Sequence, residues 1–418
     1  MPDHSTWPPT TPGRATTRWL LSTPGRTLTA HDGTPLPTTP GPGQFTRLAR
    51  TAARHLAGHP DGTIVAGLIP FDEDTPAHLS LARPERWPRH GGHPTDSGNE
   101  PRHGSPTRPG LPCLPCLPCL PDAGPGAPEP PPDVYAALVE AARGAMAHGP
   151  LAKVVLARTL RIPVGAPPLE AAPALLSRLA AQDRRAHLFA ATLPGHPGGA
   201  GPDVLIGATP ETLLTRRGDT VVLHPLAGTA ARHRHPGRDR AAARSLLGSA
   251  KDRHEHRIVV DALRTRLAPL CSRLDVPPSP TLHATTRLWH LGTVIRARLH
   301  HPPPDALSLA ALLHPTPAVC GTPTTYARSL IRRLEPVPRD YYTGLVGWMD
   351  RAGDGHWVIA LRCGRLDATH LRLYAGAGIV AQSDPVAELA ETQAKFTTML
   401  DALTATHDTA RLSAESLR

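Results

Sequence analysis

Lysine is almost missing from these 418 residues: of 45 basic side chains only Lys153, Lys251 and Lys395 are lysines, and the rest are arginines. Asparagine is nearly absent too, which points to a compositional bias that places arginine wherever arginine will serve. The three remaining lysines then mark positions where it will not. A guanidinium cannot give up its proton near neutral pH and its planar fork is bulky, whereas an ammonium is compact and is tuned by burial. Aromatic residues are scarce, fifteen in all (6 Trp, 5 Tyr, 4 Phe), and too dispersed to form a stacking platform for bases. The net charge of +10 comes from arginines set singly among acidic neighbours, with one short dense run, "ARHRHPGRDR" (231–240). That pattern argues against a nucleic-acid partner, which stays as the reading from a different functional class. Long apolar runs are also missing. No stretch approaches the ~18 apolar residues that span a bilayer, and the start, "MPDHSTWPPTTPGRATTRW", has no apolar h-region. A cytoplasmic protein without a membrane partner is expected.

Cysteine is sparse and half of it is clustered. "LPCLPCLPCLP" (111–121) sets Cys113, Cys116 and Cys119 at the CxxC spacing of a zinc site. Proline at every third position favours polyproline II, in which residues three apart lie about 9 Å from one another on one edge. Three such sulfurs cannot converge on an ion, so a low-complexity expansion is the better reading. Cys271, Cys320 and Cys363 stand alone in apolar contexts, as buried thiols of a reducing compartment do.

What is plentiful is proline and glycine, about a fifth of the chain and concentrated before residue 135. The organisation expected is a disordered start (1–17), a first ordered piece (18–87) with a buried strand in "GTIVAGLIP", a Pro/Gly/His-rich disordered insert (88–132), a main domain (133–405) and a short tail (406–418). Within the main domain, helical periodicity runs over 133–148, 169–182, 238–268, 306–313 and 322–333. Strands are predicted at 151–162, 186–192, 203–208, 212–216, 220–225, 342–349, 356–365 and 370–380. A last helix starts near Pro385 with Asp384 as its N-cap. Strands interleaved with helices indicate an α/β or α+β domain with large sheets.

The chemistry gathers on a few segments. In "YAGAGIVAQSDPVAELAETQAK" (374–395) a strand breaks at Gly-Ala-Gly and a helix follows with Glu388, Glu391 and Lys395 on one face. Taken alone, Glu391 and Lys395 are an ordinary i,i+4 pair worth a few tenths of a kcal/mol. In "KDRHEHRIVVDAL" (251–263) Asp252 and Glu255 are again i,i+3, ahead of an apolar stripe. Two helices that each offer paired carboxylates can face each other across a hard cation such as Mg²⁺. Lys153 in "LAKVVLAR" lies on the face opposite Val154 and Leu156, either a solvated edge lysine or a half-buried base. Glu211 follows the strand and turn of "LIGATPE", either a turn carboxylate or an acid. Gly228 and Thr229 in "HPLAGTAAR" allow close approach of backbone to a ligand. His290 in "LWHLGT" alone reads as a core histidine, and Arg362 in "IALRCGRL" needs an anionic partner such as a carboxylate.

Taken together and in order, "AKVVLAR", "GATPETLL", "PLAGT", "KDRHEH", "LWHLGT", "LLHPTPAVCGTP", "GLVGWMDRAGDGHWVIALRCGRL" and "LYAGAGIVAQSDPVAELAETQAKFTTML" resemble the chorismate-utilising enzymes, most closely the isochorismate synthases that feed catecholate siderophores. The resemblance implies a chorismate-binding α/β (α+β) fold with large antiparallel sheets flanked by helices, and an Mg²⁺-dependent isomerase acting on chorismate. By that likeness Lys153 activates the water that attacks C2 and Glu211 protonates the departing C4 hydroxyl. Glu255 and Glu391 are the main metal ligands, with Glu388 and Asp252 close by. Lys395, Arg362, Gly228, Thr229, Ala318 and the Gly376, Ala377 and Gly378 backbone hold the substrate, and His290 lines its ring. A lysine at 153 fits a water nucleophile, and Ala227 stands where aminodeoxychorismate synthases carry a nucleophilic lysine, so neither amination branch fits and no glutamine amidotransferase subunit is implied. Salicylate synthases share both residues and are the rival. A monomer supplying 2,3-dihydroxybenzoate or menaquinone synthesis is the expectation.

Overall fold

The strand Lys153–Pro163 shows how alternation builds this fold. Its first seven residues are all buried, because side chains leave a strand on alternate faces and both faces are covered. Val154 and Leu156 pack outward against helices, while Val155 and Ala157 point inward toward a second sheet. Lys153 shares the inward parity. In the computed structural model, which describes residues 18–31, 33–86, 126–195 and 201–404, this strand is the second of a ten-stranded antiparallel sheet, next to one of its edges. Along that sheet the order is Gly321–Thr322, Lys153–Pro163, His370–Ile379, Cys363–Leu366, Asp203–Thr209, His187–Leu193, Arg18–Thr23, Arg26–His31 and Glu85–Arg86, with Ala127–Glu129 also pairing the second of these.

A nine-stranded sheet lies against it, ordered Cys271–Asp275, Ile295–Leu299, Thr220–His224, Thr212–Arg217, Gly355–Ile359, Leu345–Asp350, Ile64–Ile69, His78–Ala82 and Thr34–Pro35. Three shorter strands, Leu226–Ala231, Leu288–Gly292 and Thr281–Ala284, form a third sheet. The helices are α1 (Gln44–Ala57), α2 (Pro132–Ala147), α3 (Pro168–Gln182), α4 (Pro236–Gly248), α5 (Ala250–Leu267), α6 (Ala306–Leu313), α7 (Thr324–Leu334) and α8 (Pro385–Thr404). Apolar side chains of both large sheets, among them Trp19, Leu68, Phe189, Leu205, Val346 and Val358, fill the layer between them. The outer faces are covered by α3 and α8 on one side and by α1, α5 and α6 on the other. The α/β class and the large antiparallel sheets are as expected from sequence.

Local chemistry sets the boundaries. Asp384 caps α8 as anticipated, its Oδ1 accepting from the N–H groups of Val386 (2.7 Å) and Ala387 (2.9 Å). Three expectations need correction. The helix predicted over 238–268 is two helices, broken at Ser249, whose hydroxyl accepts the N–H of Asp252 and starts α5 afresh. The strand predicted over 356–365 is also two, because Arg362 adopts a left-handed φ of 49° and carries the chain from the nine-stranded to the ten-stranded sheet. Residues 126–132, expected inside the insert, instead form an edge strand and lead into α2. The segment 18–86 supplies strands to both large sheets. Residues 1–17, 88–125, with the Leu-Pro-Cys repeat, and 406–418 lie outside the described residues.

Candidate active site

Two crossovers between the large sheets lie side by side, and each carries a charged residue. One runs from Asp203–Thr209 to Thr212–Arg217 and holds Glu211; the other runs from Gly355–Ile359 to Cys363–Leu366 and holds Arg362. Backbone bonds tie them together, Ala208 N–H to the Arg362 carbonyl (3.1 Å) and Ile359 N–H to the Glu211 carbonyl (3.1 Å). They open onto a cavity that is open to solvent at its mouth. Its walls include Glu211, Gly228, Thr229, Glu255, His290, Ala318, Arg362, Gly376, Gly378, Glu391 and Lys395. Eleven residues proposed from sequence therefore meet at one place.

Glu211 is buried, with the Leu226 N–H 3.5 Å from its Oε1. Burial pushes its carboxyl up to about 7, against the opposing pull of that N–H and of the Lys153, Arg362 and Lys395 charges. His290 is held well below its ordinary value, by burial first and then by Arg362 and Lys395; it is a neutral imidazole, with Nδ1 3.3 Å from the Thr229 hydroxyl.

The scarcity of lysine finds its explanation here. Each of the chain's three lysines pairs with a different glutamate of the same region. Lys153, fully buried, lies 2.9 Å from Glu255 at an angle too poor for a hydrogen bond. Lys251 bonds Glu388 across α5 and α8 at 2.6 Å. Lys395 bonds Glu391 at 2.5 Å and the Gly376 carbonyl at 2.8 Å. Glycine makes room for this: a Cβ at Gly378 would lie 2.2 Å from Glu255 Oε1, and one at Gly228, whose φ is 78°, would press on the Asp252 side chain at 3.0 Å.

Four proposed residues do not line the cavity. Lys153 stands behind Glu255, Asp252 behind Gly228, and Glu388 on Lys251. Ala377 packs into the apolar core with α2 and α7, since the alternation of its strand turns it away from Gly376 and Gly378. Sequence reading missed Tyr342 and Thr343, which line the cavity from the turn after α7, and Tyr342 stacks on Tyr374 at 5.1 Å. "RDYYTG" carries no periodicity that would have exposed them.

Asp252, Glu255, Glu388 and Glu391 form an all-oxygen donor set. Burial first, then Glu391, raises Glu388; burial raises Asp252, and Glu255 and Glu391 add to it. Among the described residues no three such groups converge at ligand distance, three of the four being turned onto lysines. Carboxylates that repel one another beside a cavity are the donor chemistry of a hard divalent cation, so these residues fit Mg²⁺.

Residues 125–404 match the family of chorismate binding enzymes. Isochorismate synthase DhbC of Bacillus subtilis is 46% identical over 280 residues, 67% of this chain and 70% of that protein. The crystal structure of DhbC from Bacillus anthracis superposes with a TM-score of 0.80 at 34% identity, covering 94% of this chain and 98% of that one. MenF, the menaquinone-specific isochorismate synthase of Escherichia coli, shares the fold, with a TM-score of 0.72 at 24% identity over 93% of this chain and 89% of that one.

Proposed function

This chain belongs to the chorismate-binding enzymes, and from that premise we propose that it is an isochorismate synthase, converting chorismate to isochorismate for 2,3-dihydroxybenzoate or menaquinone synthesis. The observation that carries the reading is a single cavity faced both by Glu211, with a carboxyl near neutrality, and by Glu255 with Lys153 directly behind it. Lys153, which reaches the cavity only past Glu255, would draw the proton of the water whose oxygen bonds to C2 of the ring. The ring double bonds shift, the C4–O bond breaks, and Glu211 gives its proton to the leaving hydroxyl, which departs as water. Arg362 and Lys395 supply positive charge for the substrate carboxylates, and neutral His290 packs beside the ring. Glu255 and Glu391, with Glu388 and Asp252 near, would hold Mg²⁺. Bound there, the ion would neutralise the carboxylates and draw a substrate carboxylate to the site. The enzyme works without a glutaminase subunit, as a monomer, in the cytoplasm. Cys271, Cys320 and Cys363 are free thiols, and among the described residues no helix is long and apolar enough to cross a membrane.

Purified protein given chorismate and Mg²⁺ without ammonia is expected to yield isochorismate, read by product chromatography. No isochorismate defeats the proposal, and salicylate with pyruvate as the main product selects the salicylate synthase reading.

A pH dependence follows from Glu211. It donates only while protonated, so kcat is expected to fall about tenfold per pH unit above pH 7. Glu211→Gln should remove that limb together with most of the rate; an alkaline limb unchanged in position in the residual activity of the variant would assign it to another group.

A further inference from the structure

The strand that carries Lys153 has a gap along one edge. Gly321 and Thr322 pair with Val154 and Lys153, and Ala127, Pro128 and Glu129 pair with Arg161, Leu160 and Thr159. Between these two short strands, among the described residues, no strand pairs with residues 155–157 on that edge, although the Val155 N–H donates to the Cys320 carbonyl at 2.8 Å. An uncovered edge at this depth leaves backbone groups that need partners. The Val155 carbonyl and the Ala157 N–H take side-chain partners. Arg339 Nη2 donates to the Val155 carbonyl (2.7 Å), and Glu335 Oε1 accepts the Ala157 N–H (2.7 Å). The two close on each other, Arg339 Nε to Glu335 Oε2 at 2.8 Å and Nη2 to Oε1 at 2.5 Å.

Arg339 also reaches across the cavity wall. Its Nη1 donates to the Val319 carbonyl (2.7 Å) and lies 3.4 Å from the hydroxyl of Thr343. Thr343 is a β-branched residue held at φ 62°, a conformation that persists only when its surroundings impose it. The guanidinium lies 4.5 Å over the Phe71 ring. Val155, Val319 and Thr343 all line the cavity, whereas Arg339 and Glu335 do not touch it.

We propose that Arg339, locked by Glu335, is a positioning residue for the reaction: the pair completes the edge of the Lys153 strand where none of the described strands pairs with it and fixes that edge against Val319 and Thr343 on the adjoining wall. The proposal rests on the isochorismate synthase reading and names a part of that site which makes no contact with substrate. A planar fork with five donors can serve two carbonyls, a hydroxyl and a carboxylate at once, and an ammonium cannot.

The test compares wild type, Arg339→Lys and Glu335→Gln by kcat and KM per folded molecule, melting temperature, and amide exchange of the 153–163 segment. Arg339→Lys is expected to fold, to lose kcat by ~10- to 100-fold because displacement of a reacting group by about 1 Å costs that much, and to raise KM by less. Faster exchange should appear at Val155 and Ala157. Glu335→Gln, which keeps the shape and loosens the lock, should shift the same quantities in the same direction by less, and it decides the matter if the lysine variant does not fold. A folded variant with kcat and KM within about twofold of wild type overturns the proposal and leaves the pair a purely structural bond. If wild type makes no isochorismate the functional reading fails instead, and the exchange measurement still decides whether the pair holds the strand edge.

Discussion

Lys153→Met is expected to fold and to turn over ~10² to 10⁴ times more slowly than wild type, the usual worth of a positioned proton acceptor. Lys153 is completely buried on the inward face of its strand, 2.9 Å from Glu255. Methionine keeps most of its volume and removes only the amine. Lys153→Arg should be equally inactive, because a guanidinium does not accept a proton at neutral pH. It should also be less stable, since overfilling a tight site costs about 1–3 kcal/mol. Gly378 shows how tight the site is: a Cβ there would sit 3.1 Å from Lys153 Cε. Single-turnover kinetics with chorismate, beside thermal melts, separates the two effects. Near-normal turnover in the methionine variant would remove Lys153 from the mechanism.

The second large effect concerns the carboxylates. Glu255→Gln and Glu391→Gln are each expected to abolish activity at ordinary Mg²⁺ with the fold intact. An amide keeps the shape of the side chain and removes one negative charge from the donor set. Raising Mg²⁺ should recover part of the turnover in either single variant and much less in the double. A readout independent of turnover is available, because an ion that binds only the folded protein raises its melting temperature with concentration. That rise should weaken in each variant and vanish in the double. If Glu391 serves only Lys395, its loss costs under about 1 kcal/mol, as for other partly exposed pairs, and leaves the Mg²⁺ dependence unchanged. Superimposable Mg²⁺ titrations for wild type and both variants would mean that the two helices do not share a metal.

Much of this was legible in the sequence because it depends on period. Alternation along 153–163 set Lys153 opposite Val154 and Leu156, and the structure places Val154 and Leu156 under α2 and α7. The same alternation held a warning about Ala377 that the glycine pattern obscured: residues 376 and 378 share one face, and 377 takes the other. The errors came where a periodic pattern runs through a break. Ser249 interrupts 238–268 without any loss of helical texture, and Arg362 interrupts 356–365 inside an apolar run.

The sequence by itself determined the residue types, the faces they occupy and the rarity of lysine, because strand and helix repeats and composition are local properties. Only the tertiary structure decided which lysine meets which glutamate, since Lys251 and Glu388, like Lys153 and Glu255, lie on separate elements brought together by packing. It also decided that Glu211 titrates near 7, because that value comes from burial at the junction of two sheets rather than from its neighbours in sequence. Arg339 and Glu335 belong to the same class: two prolines separate them just past the end of α7, and their role arises from a gap in the edge of a distant strand that no local pattern records.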